Sequence, residues 1–220
     1  MKSNKTHAVL EINSRKEKAR QIIGIIKDYK NIYECTILDI GTGSGVIPSE
    51  IGKLCKKMHS VDVEDARIAR KNYKFIKVKD ERLPFDDESF DVVISNHVMA
   101  HVKDQNIHLE QINRVLKKDG IAYLSALNRL NPIEPNYNLP FLSFLPKKLA
   151  DSYVRLARKK GSYDVKPLTY LGFVKKLERY FNYEDRTLNL IRQKLRMPSM
   201  AYRALRIFSP VWIFVLKKKA

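Results

Sequence analysis

The sequence predicts an α/β fold, a parallel sheet with helices packed on both of its faces. Three observations predict it. Short β-branched runs alternate with stretches of helical spacing between Ser14 and Leu127. The first such run, Thr36-Ile37-Leu38-Asp39-Ile40, ends in Gly41-Thr42-Gly43-Ser44-Gly45, a turn that hands a strand straight to a helix. The 220 residues are 44% hydrophobic and 10% aromatic, enough for one well-buried domain and too few for two.

The elements follow in order. Ser14 to Tyr29 reads as an amphipathic helix, with Ala19, Ile22, Ile23 and Ile26 near i, i+3, i+4 and i+7. After the strand and glycine turn, Val46 to Lys57 resumes helical spacing; Pro48 is tolerated because the first helical turn has no N–H bond to lose. Met58 to Val63 is a second strand, Glu64 to Asn72 a helix and Tyr73 to Val78 a third strand. Phe90 to Ser95 is a fourth strand and Gln105 to Leu116 a helix. Asp119-Gly120 turns into a fifth strand, Ile121 to Leu127. Prolines 132, 135, 140 and 146 then punctuate a stretch carrying Tyr137, Phe141 and Phe144, which reads as a structured loop. Lys147 to Lys160 and Leu168 to Tyr180 are helical, and the last two apolar runs read as strands returning to the sheet.

The formal net charge of +18 is unevenly spread. Residues 36 to 127 carry 14 basic and 14 acidic side chains, whereas residues 128 to 220 carry 20 and 6, a net of +14. Such a surface attracts phosphate, on RNA, on anionic lipid or on a small substrate, unless the lysines only serve solubility. No apolar run approaches the roughly 18 residues of a spanning helix, and Met1 to Arg20 lacks the apolar stretch of a secretory signal. Cys35 and Cys55 form neither a disulfide framework nor a metal knuckle. The expectation is a cytoplasmic protein with reduced thiols.

A strand, a glycine-rich turn and a helix together make an anion or nucleotide site, because glycines let the backbone approach a ligand and a helix start offers free N–H groups. Gly41, Gly43 and Gly45 are spaced G-x-G-x-G, and Val46 stands where the dinucleotide pattern wants its third glycine. A phosphate-binding P-loop is excluded, since no GK[ST] follows. Asp39 puts a carboxylate under the turn. Asp62, about 20 residues beyond the turn, ends the second strand where a carboxylate can accept two ribose hydroxyls.

The run Ile37 to Gly45 resembles motif I of class I S-adenosylmethionine (SAM)-dependent methyltransferases, and of their type 11-like members in particular. Val61-Asp62-Val63 resembles the acidic end of the family's second strand. Asp80-Glu81-Arg82-Leu83-Pro84-Phe85 resembles the segment facing the adenine, and Phe90 to Val98 the fourth strand with its active-site end. Leu116-Lys117-Lys118-Asp119-Gly120 departs from the family's proline-glycine turn. The resemblance covers residues 20 to 127 strongly and the rest only in layout. It implies a Rossmann-like, mostly parallel seven-stranded sheet with an antiparallel C-terminal strand. The expected organisation is one domain over 1–220, with a cofactor core at 14–127, a lid at 128–165 and a closing helix and strands at 166–220. SAM, released as S-adenosylhomocysteine, is the implied cofactor. Its implied contacts are Asp39, Gly41, Thr42, Gly43, Gly45, Asp62, Val63, Asp80, Glu81, Arg82, Asn96 and His97.

Methyl transfer is a displacement governed by placement, and a base is needed only where the acceptor must lose a proton. His97 and His101 are the histidines at the ligand-binding edge, and either is a base candidate; alternatively His97 packs beside the cofactor and His101 lies on a helix face. Their H-x-x-x-H spacing lacks the glutamate of zinc helices, Val98 taking its place, so no metal is expected. No Asn/Asp-Pro-Pro-Tyr follows the fourth strand, which lowers methylation of nucleobase amines. The expectation is an enzyme acting on a small or lipid-linked acceptor selected by Asn128 to Pro146. Its alternatives are an RNA methyltransferase using the basic C-terminal part and a non-catalytic partner subunit. Phe141, Leu142, Phe144 and Leu145 beside Lys147, Lys148, Arg155, Arg158, Lys159 and Lys160 suit an anionic membrane surface, and equally a lid packed on the sheet. Oligomeric state is not encoded in any of these features.

Overall fold

Alternate residues of each central strand point to opposite faces of one sheet, and each face buries them under helices. The structure is a computed structural model that describes residues 2–134, 136–159, 162–187 and 206–219, with side chains from residue 12. Strand β1 (Thr36–Ile40) sends Leu38 and Ile40 to one face and Ile37 to the other; β4 (Phe90–Asn96) divides Val93 from Val92 and Ile94 in the same way. On the second face Ala19, Ile22, Ile25 and Ile26 of α1 (Lys2–Lys27) and Ile47 and Ile51 of α2 (Val46–Ile51) complete the layer. On the first face lie Leu109, Ile112 and Val115 of α3 (Gln105–Val115) and Phe173 and Leu177 of α5 (Tyr170–Leu177).

With β2 (Lys57–Asp62), β3 (Lys74–Lys77), β5 (Leu116–Leu127), β8 (Phe181–Asp185) and β9 (Val211–Lys218), the seven strands are ordered β3-β2-β1-β4-β5-β9-β8. Neighbours are parallel up to β5, and β9 runs antiparallel to both β5 and β8, so the expected mostly parallel sheet with an antiparallel C-terminal strand is present. The chain leaves β1 towards β2 and β3 and then returns to β4 on the other side of β1. That reversal opens a crevice beyond the carboxyl ends of β1 and β4.

Several elements differ from expectation. Residues 64 to 72 form no helix. Their polar groups are taken locally: Asp65 holds Arg67 and Arg70, the Ile68 and Ala69 N–H groups donate to the Ser44 carbonyl, and Tyr73 donates to the Ala69 carbonyl at 2.6 Å. Helix α2 stops at Ile51 rather than Lys57, because Gly52 and its turn must deliver the chain to β2. Asp119-Gly120 is no separate turn. It lies inside β5, where β4 skips from a Phe90–Leu116 pairing to Val92–Ile121. Helix α1 begins at Lys2, before Ser14. Two short strands, β6 (Ile133–Glu134) and β7 (Leu139–Pro140), cross the proline-rich stretch, and α4 (Lys147–Leu156) ends before Lys160. Val211 to Leu216 forms β9 as expected, whereas the apolar residues between 188 and 205 lie outside the described residues.

Residues 133–165 bury a small core of their own. Leu139, Leu142, Ala150, Val154, Tyr163 and Val165 pack on Ala100, just past β4, so the segment expected as a lid is seated beside the crevice.

Candidate active site

The glycine turn is shaped by its neighbours. Gly41 has φ +83°, and a Cβ there would lie 2.4 Å from Val98 Cγ2. The Gly41 and Thr42 N–H groups donate to the Val61 carbonyl at 2.9 and 3.2 Å, stitching the turn to the end of β2. The Asp62 carboxylate accepts from the Gly43 N–H at 2.9 Å and from the Glu64 N–H at 3.2 Å. Beneath the turn Asp39 is buried; its carboxylate accepts from the Ser60 hydroxyl at 2.8 Å, and Thr42 Oγ1 lies 2.6 Å from Ser60 Oγ. Burial pushes the Asp39 carboxyl up to about 7, with the Ser60 hydrogen bond opposing the rise and the Asp62 charge adding to it.

Beyond the sheet edge lies a cavity of about 780 Å³, within the range of nucleotide-sized ligands. Of the residues implied by sequence, Gly41, Gly43, Asp62, Val63, Asp80, Glu81, Asn96, His97 and His101 line it. Four do not. Asp39 and Thr42 lie under the turn, Gly45 is the N-cap of α2, and Arg82 is exposed, its N–H donating to Asp80 at 2.8 Å.

At the end of β4 the Asn96 side chain accepts from Ser125 Oγ at 2.9 Å, and the His97 N–H reaches both the Ser125 carbonyl and hydroxyl at 3.1 Å. These bonds hold His97 in left-handed backbone, φ +63°, a conformation that costs a non-glycine residue free energy and recurs at functional sites. Its Nδ1 is buried without a hydrogen-bond partner among the described residues. Burial first, then the charges of Lys18, Arg15 and His101, push the imidazole down to about 4. His101 is exposed in a turn rather than on a helix face.

Arg15, Lys103, His108, Asn131 and Asn136 also line the cavity, although the motifs did not indicate them. Two of the five carried a signal. Arg15 lies four residues before Ala19 on the buried stripe of α1, and His108 shares the inward face of α3 with Ile112 and Val115. His108 is fully buried, 2.9 Å from Ser95 Oγ through Nε2, and burial pushes it down to about 4. No group of three or more metal-ligating side chains occurs among the described residues.

The cavity carries the carboxylates Asp62, Asp80 and Glu81 along the ends of β2 and β3 with Lys79 among them, while Arg15 enters from α1 and His97, His101 and Lys103 from the chain after β4. At Gly43 a Cβ would meet nothing nearer than an Arg15 guanidinium nitrogen at 4.0 Å, so the turn leaves open room there. Carboxylate acceptors beside an open glycine turn fit the ribose, adenine and amino acid parts of SAM.

Residues 38–124 match the family model described as a methyltransferase domain. The chain is 29% identical over 119 residues to a ubiquinone biosynthesis O-methyltransferase of Pelagibacter ubique, 48% of this chain and 50% of that protein. It is 33% identical over 122 residues to a demethylmenaquinone methyltransferase of Chlorobaculum tepidum, 52% and 50% of the two chains. The chain thus spans about half the length of the curated relatives it matches. Among solved structures, the PH0226 protein of Pyrococcus horikoshii superposes with a TM-score of 0.64 at 17% identity, covering 93% of this chain and 91% of that one. The YcgJ protein of Bacillus subtilis gives 0.59 at 18%, covering 89% and 97%; both likenesses concern the fold. Strand order and the matched segment agree: residues 38–124 match a methyltransferase domain, and the chain has the fold of the class I SAM-dependent methyltransferases.

Proposed function

We propose that the chain transfers a methyl group from SAM to a small, lipid-linked acceptor of quinone type. The observation that carries this reading is a single cavity that joins the carboxylates Asp62, Asp80 and Glu81 to Asn131 and Asn136 of the expected lid. Asp62 would hold the ribose hydroxyls and Asp80 the adenine amino group, while Gly41 and Gly43 let the methionine part approach the backbone. Asp39 acts on the ligand only indirectly, by bracing the turn through Ser60. SAM, when bound, supplies a methyl group already activated for displacement. The chain's own residues need only orient the acceptor and exclude water. His97 lines the cavity and is neutral at physiological pH, which supports a role for its imidazole in accepting a hydrogen bond from an acceptor hydroxyl. Two relatives named for ubiquinone and demethylmenaquinone support the acceptor class.

A lipid-linked acceptor calls for a membrane-facing surface, and α4 offers one. Its buried face is Ala150 and Val154; its exposed face carries Leu149 and Leu156 one heptad apart beside Lys148 and Arg155, also one heptad apart. Phe141 and Phe144, 60% and 43% exposed, pair edge-on just before the helix. Exposed apolar side chains framed by cations suit an anionic bilayer surface.

Calorimetry of SAM binding tests the cofactor half of the reading. Asp62→Ala removes two charge-assisted hydrogen bonds to ligand and is expected to cost about 2 to 4 kcal/mol; unchanged affinity would overturn the assignment. Release of S-adenosylhomocysteine is expected with demethylated quinone acceptors. Release with RNA alone would overturn the acceptor class, and release with none would favour a non-catalytic subunit.

A further inference from the structure

We propose that the lid carries a second ligand site, a pocket for a phosphate monoester, separate from the SAM cavity. A cavity of about 290 Å³ lies between the chain leaving β5, the start of α4 and the segment around residue 165. Three cationic side chains line it, Arg129, Lys147 and Lys166, against one carboxylate, Asp164. Asp164 is itself engaged, accepting from the Tyr137 hydroxyl at 3.3 Å.

Two buried hydroxyls in the same lining have no partner outside their own pair. Ser143 is 5% exposed and Tyr163 7%, and Ser143 Oγ and Tyr163 Oη bear on each other but reach no other hydrogen-bond partner among the described residues. Buried hydroxyls are nearly always paired, because leaving one unpaired forfeits its hydration without return. Acceptor oxygens of a ligand would satisfy both.

The cations are anchored, and Lys147 is also ion-paired with Asp151. Arg129 Nε donates to the Ser143 carbonyl at 3.2 Å, which holds the guanidinium at the pocket. Lys147 donates to the Tyr163 carbonyl and to Asp151, both at 3.1 Å, and Lys166 donates to the Lys103 carbonyl at 3.0 Å. Leu145 and Lys147 flank Pro146, the N-cap of the ten-residue helix α4, and no side chain caps that end. The positive end of the helix therefore adds to the field. Arg129 and Lys166, Lys147 shared with Asp151, two hydroxyl donors and a helix start outnumber what a carboxylate can accept and suit the several oxygens of a phosphate monoester. The remaining walls, Leu145, Val165 and Pro167, leave apolar room for the group the phosphate carries.

Calorimetry of the full chain at constant ionic strength, with inorganic phosphate and with monomeric dihexanoyl phosphatidic acid, tests the site. Saturable binding is expected, weakened roughly tenfold by Arg129→Gln and roughly threefold by Tyr163→Phe, as expected for a charged and a neutral hydrogen bond. Lys159→Gln, an exposed charge outside the pocket, is expected to bind as the wild type does. Equal affinity for both probes identifies the phosphate alone as the recognised group; tighter binding of the lipid phosphate identifies an amphiphile held by the apolar walls. If Arg129→Gln fails to fold, Tyr163→Phe decides, since it removes one oxygen and its SAM affinity reports an intact fold. Absence of saturation with both probes, or variants that bind like the wild type, would overturn the proposal. SAM binding and methyl transfer are read separately, so failure here leaves the catalytic reading standing.

Discussion

Gly43 and Gly45 both adopt left-handed backbone, yet a methyl group added at each meets different surroundings. At Gly45 (φ +77°) a Cβ would lie 2.1 Å from the Ala69 carbonyl oxygen, whereas at Gly43 (φ +49°) it enters open space. Gly45→Ala is therefore expected to cost more than the ~1 to 2 kcal/mol of left-handed backbone alone, because the 64–72 segment must also move. Gly43→Ala pays only the backbone cost but lowers SAM affinity, since its methyl occupies the cavity. Denaturant titration paired with calorimetry separates the two, and equal stability losses would contradict this division. Titration at the buried groups gives a second prediction. His97 and His108 have folded values near 4 against an ordinary 6.5, so the unfolded chain binds two more protons between those values, and stability falls as pH falls. Asp39, raised to about 7, works in the opposite sense: its contribution is present at low pH and lost as pH rises towards 7. The net is one proton, about 1.4 kcal/mol per pH unit between roughly pH 6 and 4.5. Unfolding free energies across that window are expected to flatten in His108→Gln and to steepen in Asp39→Asn. The same slope in all three proteins would refute the account.

At the scale of elements, the adenine side of the cavity depends on α3. Arg114 reaches from that helix to the Phe85 and Leu83 carbonyls at 2.7 and 2.9 Å and to Asp87 at 2.7 Å, clamping the loop that follows Asp80 and Glu81. The Asp87 bond is exposed and contributes little, but the two carbonyl bonds tie loop to helix. Arg114→Ala is expected to lower stability by about 1 to 3 kcal/mol and to raise amide exchange over residues 80–88. Arg114→Lys is not expected to restore protection, since one ammonium cannot span both carbonyls; full protection in Arg114→Lys would show that charge alone suffices. The helix expected over Glu64 to Asn72 failed at this scale as well. Its residues have acceptable spacing, but the Ser44 carbonyl captures the Ile68 and Ala69 N–H groups, and that competition is invisible in a local window.

For the whole molecule, part of the charge asymmetry read along the chain lies on α4, where Lys148 and Arg155 are exposed beside Leu149 and Leu156. Sedimentation with vesicles tests its partner: binding to phosphatidylcholine containing phosphatidylglycerol, and not to phosphatidylcholine alone, is expected at low salt and lost at high salt. Lys148→Glu with Arg155→Glu is expected to abolish it, and Leu149→Ser with Leu156→Ser to weaken it. A wild type that stays in the supernatant would leave a water-soluble acceptor as the better reading. The sequence by itself determined the alternating strands and helices, the glycine turn with Asp62, and the family resemblance. Each is written in neighbouring residues, through side-chain periodicity and the backbone freedom of glycine. Only the tertiary structure decided that Asp39 and Thr42 lie beneath the turn rather than in the cavity, that Arg15 and His108 enter it from distant helices, and that the Ser143 and Tyr163 hydroxyls are buried together. Those outcomes depend on which groups meet across separations of tens of residues, where burial and competition for hydrogen bonds are settled by packing.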